Sequence, residues 1–368
     1  MNALDTTRLE QALTAAQAAI GVSDPNPRVG CVIGTADGVV LGVGSTQETG
    51  GPHAEIMALR AARAAGHDLR GATAWVTLEP CAHHGRTPPC CEALIAGGLA
   101  RVVVAVKDPN PQVAGKGIDS MRAAGLVVEI AQGDWSDAAR ELNIGFFSRH
   151  ERGRPWVRLK LATSLDGRTA LNNGISQWIT SAEARADGHA WRKRASVVMT
   201  GIGTVLADDP RLDLRNVNNV KQPLRVVVDS TLRLPASARI LQPPGRVLVF
   251  TTCTDAEKHE SLRVAGAEIL NCGSPGEQVD LHALIEALGS REFSEIHVEA
   301  GSILSGALIR QQLVDEILLY VAPKVLGPGR DAVTWPPFVT LADAPLFRFT
   351  GTMRVGSDLR LTARRVEL

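Results

Sequence analysis

The sequence predicts an α/β protein built from two successive domains. Its 368 residues exceed the length at which single hydrophobic cores usually stop growing, about 250–300 residues. Short apolar runs rich in β-branched residues alternate with helix-like stretches, first in the amino-terminal part of the chain and again after it. Strands separated by helices in this way form sheets with helices on their faces. We therefore expect a first domain at 1–147, a linker at 148–155 and a second domain at 156–368.

The first domain begins with a helix that Thr6 or Thr7 can cap and that runs to about Ile20, before Gly21. The runs "VGCVIG" and "VVLGVG" flank "TADG", which predicts a hairpin. "AEIMALRAARAAG" has helical spacing and stops at Gly66. "ATAWVTL" and "RVVVAV" are suited to buried strands.

A polar segment, "SRHERGRP" at Ser148–Pro155, has no apolar face and is interpreted as the linker. After it, "WVRLKLATSLDG", "SVVMTGIG", "LRVVVDS", "RVLVFTT", "EIHVEAG" and "EILLYVAPKVLG" are predicted strands. "SAEARADGHAWRKRA" and "SILSGALIRQQLV" are predicted helices. "DPNP" occurs at Asp24–Pro27 and Asp108–Pro111, where alternate prolines exclude helix and indicate rigid turns.

The composition argues against a nonspecific nucleic-acid-binding protein. The 39 Lys+Arg offset 39 Asp+Glu, and only 4% of residues are aromatic, too few for base-stacking platforms. The amino terminus lacks the pattern of a signal peptide, and no apolar run reaches the roughly 18 residues of a membrane-spanning helix. We expect a cytoplasmic protein with reduced thiols, in which clustered cysteines bind metal or catalyse. Cys31, Cys253 and Cys272 stand apart from the cluster and are expected in cores.

The stretch "EPCAHHGRTPPC" and the nearby "HAE" carry the clearest chemistry. His53 opens a predicted helix, and Cys90 lies in the first turn of another, after the capping pair Thr87–Pro88. One imidazole and two thiolates, from His53, Cys81 and Cys90, supply three of the four tetrahedral positions of zinc. The fourth is open to water, whose pKa the cation lowers. Glu55 is placed to move that water's proton.

The general signature of zinc nucleobase deaminases is His-x-Glu followed by Pro-Cys-x-x-Cys. Here eight residues, not two, separate the two cysteines. The alternative is a closed structural site made from these two cysteines, Cys91 and either His83 or His84, but it leaves the "HAE" helix unexplained. Adjacent helical residues point about 100° apart, so Cys91 is expected behind the site. The two histidines are expected to contact substrate or support the loop.

Taken together, "NPRVG", "HAE", "PCAHHGRTPPC" and "DPNPQVAGKG" resemble the deaminase half of the bifunctional riboflavin-biosynthesis deaminase–reductases. "RLKLATSLDGRTA", "SQWITS", "GIGTVLADDPRL" and "VEAGSILSGALI" resemble its reductase half. The resemblance implies a cytidine-deaminase-like three-layer α/β/α domain followed by a dihydrofolate-reductase-like α/β domain. One departure is Ala82, where the family often has serine, and it leaves the ligands intact.

The resemblance also implies the two reactions. The first domain would deaminate 2,5-diamino-6-ribosylamino-4(3H)-pyrimidinone 5′-phosphate, and the second would reduce the ribosyl group to ribityl with NADPH, giving 5-amino-6-ribitylamino-uracil 5′-phosphate. His53, Cys81 and Cys90 would hold Zn²⁺, with Glu55 as proton shuttle. Asn26 would contact the pyrimidine or ribose, or else only close its turn. Arg86 would grip the phosphate, or else remain solvated.

The second domain lacks GxGxxG, but "VVMTGIGTV" and "IHVEAGSILSGALI" are strand–glycine–helix junctions, which suit phosphate and also arise from packing. By resemblance, the NADPH contacts are Ala162, Trp178, Thr204, Asp208, Ser230, Gly301, Ser302, Ile303, Leu304, Ser305, Gly306 and Ala307. The implied substrate contacts are Ser176, Arg192, Leu212, Arg215 and Glu299.

Several of these residues have simpler interpretations. Trp178 could be a buried core aromatic and Asp208 a turn former. Arg192 and Arg215 suit a 5′-phosphate but could be solvated surface charges. Lys160 could hydrogen-bond the sugar, or only extend its amine to water from a strand.

Two other functions compete with this one. The first is a zinc nucleobase or nucleic-acid deaminase with a non-catalytic C-terminal domain. The second is a zinc-stabilised scaffold, which leaves Glu55 without a role. The leading hypothesis predicts a small-molecule substrate, no nucleic acid or membrane partner, and a homo-oligomer.

Overall fold

The computed structural model describes residues 2–83, 88–215 and 221–366. The chain divides into two compact units, Met1–Arg154 and Pro155–Leu368. The predicted roles of His84, Arg86 and Thr87 fall outside the described residues. None of the described helices has the length and apolar character needed to span a lipid bilayer.

The described part of the first unit contains one sheet and helices on both of its faces. The strands are Gly30–Gly34 (β1), Val40–Ser45 (β2), Thr73–Val76 (β3), Arg101–Val104 (β4) and Val127–Ile130 (β5). The helices are Ala3–Gln17 (α1), Ala54–Ala64 (α2), Cys90–Ala96 (α3), Lys116–Ala123 (α4), Asp134–Leu142 (α5) and Ile144–Arg152 (α6).

The strand order across this sheet is β2-β1-β3-β4-β5. The predicted hairpin is confirmed, since β1 and β2 pair antiparallel, whereas β3, β4 and β5 run parallel. Cys31 pairs with Gly44, so Gly44 and Gly30 lie on opposite faces. A Cβ at Gly30 would lie 1.9 Å from the Ala12 carbonyl oxygen of α1, and one at Gly44 would lie 2.3 Å from that of Ala54 in α2. Glycine thus lets a helix approach each face, and the three-layer prediction is confirmed.

Helix α1 begins earlier than the sequence predicts. Its N-cap is Asn2, whose side chain accepts the N–H of Asp5, while the Asp5 carboxylate accepts the N–H of Asn2. This reciprocal capping satisfies two free donors of the first turn, so Thr6 and Thr7 lie inside the helix rather than at its cap. Thr7 instead donates its hydroxyl to the Ala3 carbonyl.

The predicted linker at 148–155 differs from the structure, because α6 continues to Arg152. The aromatic residues Phe146 and Phe147 bury one face of this helix in the core of the first unit. Ser148 is also buried, and its hydroxyl donates to the Arg154 carbonyl oxygen. The polar segment is therefore the solvent-facing end of an amphipathic helix whose apolar residues precede it.

The second unit contains a larger sheet. Its strands are Trp156–Thr163 (β6), Arg168–Leu171 (β7), Val197–Gly201 (β8), Leu224–Val228 (β9), Val247–Thr251 (β10), Ala267–Asn271 (β11), Glu295–Val298 (β12), Glu316–Val321 (β13), Gly329–Asp331 (β14), Phe347–Val355 (β15) and Asp358–Arg365 (β16). Its α-helices are Ala182–Arg194 (α7), Ile202–Asp208 (α8), Ala256–Val264 (α9), Leu281–Ser290 (α10) and Ser302–Arg310 (α11).

Within the described residues, nine of these strands form one sheet in the order β11-β10-β9-β8-β12-β6-β13-β16-β15. The strands from β11 to β13 run parallel, and β16 and β15 continue the sheet antiparallel. Parallel neighbours end at the same edge of the sheet. The carboxyl ends of β6, β8, β9 and β12 therefore gather in one place, where α/β sheets commonly bind ligands.

The two faces of the central strands differ in chemistry. Leu159 of β6 and Val298 of β12 pack in the apolar core. The other face of the same strands carries Arg158, Lys160, Glu295 and His297, and Arg158 and His297 are fully buried there. Trp191 of α7 lies against the guanidinium of Arg158, with 4.5 Å between the guanidinium carbon and the ring centroid. Helix α7 thus covers the polar face of β6 and β12, which extends to the carboxyl ends of these strands.

Candidate metal centre and reductase site

The N-terminus of α2 places the first metal-ligand candidate. His53 is the N-cap residue, with extended backbone, and Glu55 lies in the first helical turn. Glu55 is only 3% exposed. Gly44 allows α2 to pack closely against the sheet. This packing sets the distance of the His53 and Glu55 side chains from the strands.

The two cysteines come from separate elements. Cys81 follows β3 after a short connection, and Cys90 is the first residue of α3, with Pro89 at its N-cap. The N–H of Cys90 donates to the Cys81 sulfur over 3.4 Å. The Nδ1 atom of His53 lies 3.7 Å from the Cys81 sulfur and 3.4 Å from the Cys90 sulfur. The three ligand atoms lie within 4.8 Å of one another.

These distances fit tetrahedral zinc. Typical Zn–S and Zn–N bonds place an imidazole nitrogen and a thiolate sulfur of the same ion about 3.6 Å apart. The observed separations of 3.4 and 3.7 Å bracket that value. The donor set, one imidazole and two sulfurs, is the one that the sequence predicts, and within the described residues it supplies three of the four positions of tetrahedral zinc.

Burial and neighbouring charge shift the acid groups around this centre. Burial, with the nearby Cys81 thiolate, raises the pKa of Glu55 to about 7. A hydrogen bond from Cys90 is the main cause that lowers the pKa of Cys81 to about 4, and the same contact raises the pKa of Cys90. A carboxyl group with a pKa near neutrality can both accept and return a proton.

The alternative closed zinc site lacks its further ligands among the described residues. Cys91 is buried in the apolar core of the first unit, as expected from its position behind the site. His83 is exposed, and the His/Cys/Asp/Glu group with metal-binding geometry in the described chain comprises His53, Cys81 and Cys90. Ala82 packs against the apolar core next to the ligands.

Glu79 is a site-supporting residue that sequence reasoning missed. Its carboxylate accepts backbone N–H groups of Asp108, Gly115, Gly117 and Ile118 at 3.0–3.3 Å. These bonds tie the second "DPNP" turn to the strand connection that carries the Cys81 ligand. The available signal is an acidic residue immediately after an apolar strand, since such a buried carboxylate needs several donors.

Burial also raises the pKa of Asp108, the first residue of this second turn, to about 7. In the first "DPNP" turn, Asn26 donates its backbone N–H to the Ser23 carbonyl, and the Ser23 hydroxyl donates to the Asn26 carbonyl. The backbone and Ser23 therefore close this turn. Both interpretations of Asn26, as a turn former and as a contact to the ring or ribose, stay predictions.

The predicted NADPH contacts follow the carboxyl ends of parallel strands. Ala162 lies near the end of β6, Thr204 in α8 after β8, and Ser230 after β9. The N–H of Gly301 donates to the Thr204 hydroxyl oxygen, with 3.1 Å between the two atoms. This hydrogen bond connects the two glycine junctions. Asp208 is exposed at the end of α8.

The segment from Gly301 to Ala307 does not present a uniform surface. Gly301 is the exposed N-cap of α11, and Ile303 is 78% exposed. Ser305 and Gly306 face the interior, where a Cβ at Gly306 would lie 2.0 Å from the Thr334 carbonyl oxygen. Gly306 therefore serves helix packing, and the exposed part of the segment is the first turn of α11 with its N-cap.

Trp178 is 62% exposed, so it is not a buried core aromatic. The guanidinium carbon of Arg185 lies 4.3 Å from its ring centroid, and Lys324 donates to its carbonyl oxygen. Ser230 is held by its neighbours: its hydroxyl donates to Gln278 and accepts the N–H of Val279. Ser230 is therefore structurally constrained at the sheet edge.

The predicted substrate residues gather around Arg192 of α7. The guanidinium of Arg192 grips both carboxylate oxygens of Glu299, which follows β12. It also reaches the Asp213 carbonyl oxygen at 3.4 Å, and Arg215 lies 3.5 Å from the Asp213 carboxylate. Arg192 is thus a paired residue and not a solvated charge. Arg215 is half-exposed.

Two further substrate candidates lie in loops. Leu212 is buried beside this charged group, with a left-handed φ of 52°, an unusual conformation for leucine that often marks functional sites. Ser176 lies in the partly exposed loop between β7 and α7, and within the described part of the chain no hydrogen bond or ion pair joins it to the Arg192 group. Burial lowers the pKa of Lys160, which points to the same face as Arg158. Its ammonium lies 5.6 Å from the Tyr320 ring centroid.

Comparison with protein families assigns both units. Residues 3–106 match the cytidine and deoxycytidylate deaminase zinc-binding region, and residues 155–361 match the RibD C-terminal domain. The predicted fold class is therefore confirmed for both domains. The reductase match also leaves the alternative of a non-catalytic C-terminal domain without support.

Full-length relatives support the same family assignment. The chain is 44% identical over 371 residues to the riboflavin biosynthesis protein RibD of Escherichia coli strain K12, covering 97% of this chain and 98% of that protein. It is 40% identical to RibD of Haemophilus influenzae, with 97% and 96% coverage.

Solved structures extend this similarity to three dimensions. Acinetobacter baumannii RibD, form 1, is 40% identical and superposes with a TM-score of 0.89 over 99% of each chain. A diaminohydroxyphosphoribosylaminopyrimidine deaminase/5-amino-6-(5-phosphoribosylamino)uracil reductase from Thermotoga maritima is 32% identical, with a TM-score of 0.87 over 99% of each chain. The chain therefore belongs to the RibD family of riboflavin biosynthesis, bifunctional enzymes with a zinc-dependent deaminase domain and an NADPH-dependent reductase domain.

Proposed function

We propose that the unit Met1–Arg154 deaminates the diaminopyrimidine ribosyl phosphate through His53, Cys81, Cys90 and Glu55. The observation that supports this most directly is the convergence of three ligand atoms within 4.8 Å beside a buried carboxyl group. Zinc, when bound, polarises water so that it attacks at neutral pH.

In this reaction a carbon–oxygen bond forms at the ring, the bond from that carbon to the amino group breaks, and ammonia leaves. Glu55 accepts a proton from the attacking water and returns it to the departing nitrogen. Its raised pKa suits both steps. We assign ring or ribose recognition to Asn26 and phosphate recognition to Arg86, which lies outside the described residues.

We propose that the unit Pro155–Leu368 then transfers hydride from NADPH to C1′ of the ribosyl group. The cofactor supplies the hydride, and the chain supplies orientation and charge. Ser302 and Ile303, in the first turn of α11, place backbone N–H groups at the helix N-terminus, which suits a phosphate, and Gly301 at the N-cap leaves room for its approach.

On the substrate side, Arg192 suits the 5′-phosphate, because a guanidinium binds two oxygens at once. Glu299 and Lys160 suit the sugar hydroxyls, since they bring an acceptor and a donor to the same edge of the sheet. Ser176, Leu212 and Arg215 complete the proposed substrate contacts. Ala162, Trp178, Thr204, Asp208 and Ser230 complete the proposed cofactor contacts.

We further propose a homo-oligomer that forms through β15. This strand is the edge of the nine-stranded sheet, and Phe349 and Met353 on it are 69% and 51% exposed. An unpaired edge with apolar side chains is a template for pairing with a second copy. Light scattering should give a multiple of the chain mass, and Phe349→Glu should reduce it. A monomeric wild-type protein would contradict this proposal.

We also propose a cytoplasmic location. All of the cysteines are free thiols, and two of them serve as metal ligands in the proposed site. Thiols of this kind persist in a reducing compartment.

The proposed function is tested with purified protein and the diaminopyrimidine ribosyl phosphate, with and without NADPH. We expect ammonia release in both conditions and NADPH oxidation only after deamination. Chelation of zinc should stop ammonia release, while reduction of the separately supplied deaminated compound should continue. Ammonia release that persists in zinc-free protein would overturn the assignment of the metal centre.

A further inference from the structure

The imidazole of His297 has no role in the proposed function, yet it lies beneath the reductase site. His297 sits in the middle of β12, in register with Val198 of β8 and Arg158 of β6. It is fully buried. Because side chains alternate along a strand, His297 and Glu299 point to the same face.

Among the described residues, neither ring nitrogen of His297 makes a hydrogen bond of normal length and geometry. Leaving a buried polar group unpaired costs about 1–3 kcal/mol. The Nε2 atom lies 3.5 Å from Oε1 of Glu299, slightly beyond a good hydrogen bond. Burial lowers the pKa of His297, so the ring is neutral near pH 7 and carries one N–H.

The carboxylate of Glu299 already has a partner, which is also a proposed substrate ligand. Arg192 holds both of its oxygens. One guanidinium cannot grip this carboxylate and a substrate phosphate in the same way at the same time. If the phosphate draws Arg192 away, Glu299 needs another donor, because an unpaired, largely buried carboxylate is costly.

We propose that His297 is a positioning residue of the reductase: its Nε2–H holds Oε1 of Glu299 when the substrate phosphate engages Arg192. This inference rests on the proposed substrate roles of Arg192 and Glu299. A movement of about half an ångström shortens the existing separation to a normal hydrogen bond.

The backbone around Glu299 supports a small movement of the side chain alone. Its N–H donates to the Met199 carbonyl oxygen at 2.9 Å, and its carbonyl oxygen accepts the Thr200 hydroxyl at 2.7 Å. The main chain is therefore fixed between strands, and the carboxylate can change donors without a change in the sheet.

The test compares His297→Leu, which fills space without a donor, with His297→Gln, whose amide nitrogen lies near the position of Nε2. We expect His297→Leu to raise KM for the deaminated substrate about tenfold, the effect of losing one hydrogen bond to a charged group. His297→Gln should stay within about threefold of wild type. KM for NADPH should not change in either variant. Ile296→Val, on the apolar face of β12, is the matched control for a buried substitution.

A double-mutant cycle separates positioning from a purely structural role. In a Glu299→Ala background, His297→Leu should add little, because the acceptor oxygen that His297 positions is gone. Additive effects, or equal KM values for His297→Leu and Ile296→Val, would overturn the inference. If the leucine variant fails to bind NADPH, His297→Asn against His297→Gln decides, since asparagine is too short to reach Glu299. A wild-type protein that oxidises no NADPH would instead refute the proposed function itself.

Discussion

Glu55 differs from the three candidate ligands because it is an acid that is buried beside them and is not one of the metal-binding group. Replacement by glutamine keeps the size of the side chain and removes its ability to take a proton. We expect Glu55→Gln to retain zinc, measured by elemental analysis, and to lose deamination by about 10²–10⁴-fold, the usual contribution of a general acid–base. NADPH-dependent reduction of the deaminated compound should continue.

Glu92→Gln is the control for this prediction, since Glu92 is an exposed acid in the first turn of α3, two residues after Cys90. It should release ammonia at the wild-type rate. Zinc loss from Glu55→Gln, or ammonia release at the control rate, would show that Glu55 is not the proton shuttle.

Glu79 gives a second prediction, because one carboxylate accepts four backbone N–H groups. Glu79→Gln replaces one acceptor oxygen with an amino group, which cannot accept hydrogen bonds from these N–H groups. We expect the first unit to lose about 2–4 kcal/mol in free energy of unfolding, measured by urea titration, and deamination to fall.

The matched control is Glu129→Gln, which removes a partly exposed ion pair with Arg101 and should cost less than about 1 kcal/mol. Equal losses in the two variants would mean that Glu79 does not anchor the loop.

At the scale of single residues, the sequence predicts the metal centre well and its support poorly. His53, Cys81 and Cys90 belong to residue types that have few other uses in such a pattern, and the structure brings their ligand atoms together. Glu79 and His297 have no such signature. Their roles depend on which distant backbone or side-chain groups face them, and that becomes visible only once the sheet is assembled.

At the scale of elements, the N-terminus of α11 allows a test that leaves folding intact. A Cβ at Gly301 would have its nearest described neighbour, the Thr204 hydroxyl oxygen, at 3.7 Å, and its φ is negative. A side chain therefore fits without ligand but occupies the space above the helix N-terminus. We expect Gly301→Val to raise KM for NADPH about 10–100-fold, through loss of phosphate contacts worth about 1.4–2.8 kcal/mol. Deamination should be unchanged.

Ala256→Val is its control, because Ala256 is an exposed residue in the first turn of α9 and has no proposed contact with the cofactor. Both variants place a β-branched residue in the first turn or at the cap of a helix. Similar KM values for NADPH in the two variants would argue that the α11 N-terminus does not bind the cofactor.

Element prediction succeeded where the apolar pattern was strong. The apolar runs of β6, β8, β9, β10, β12 and β13 predict strands that the structure confirms, since strands of a parallel sheet are buried on both faces. The sequence analysis does not predict the hairpin of β15 and β16. Apolar and polar residues alternate along β15, but the strand is largely exposed and lacks the long apolar run of the central strands. Helix α6 was cut short for a related reason: its polar residues cluster at one end, while Phe146 and Phe147 lie just before them.

At the scale of the whole molecule, each unit has its own hydrophobic core. In the first unit, a buried acid connects elements at the edge of that core. Asp5 is fully buried. Its carboxylate accepts two hydrogen bonds from Arg101, at 2.6 and 2.9 Å, and one from Trp75 at 2.8 Å. The Arg101 contact is the main cause that lowers the pKa of Asp5 from 3.8 to about 2. This joins α1 to β3 and β4 of the first unit.

The sign of the pH dependence follows from this shift. A carboxylate whose pKa is lower in the folded state stabilises the fold above its unfolded pKa, and the stabilisation is lost as pH falls from about 4 to about 2. The shift of Asp5 corresponds to about 2 kcal/mol. Asp5→Asn should therefore lower the opening free energy of α1 and β3 by about 2 kcal/mol at pH 7, measured by hydrogen exchange, and the difference should shrink towards pH 2.

Asp68→Asn is the control for the pH dependence that we expect of Asp5→Asn. The pKa of Asp68 is also lowered to about 2, by Arg70, but both partners are exposed, so solvent screens the pair. Its removal should leave hydrogen exchange in α1 and β3 unchanged at every pH. If Asp5→Asn behaves like Asp68→Asn, the buried pair of Asp5 and Arg101 does not stabilise the first unit. If Asp5→Asn lowers protection equally in the strands of the second unit, the two units do not unfold as separate cores.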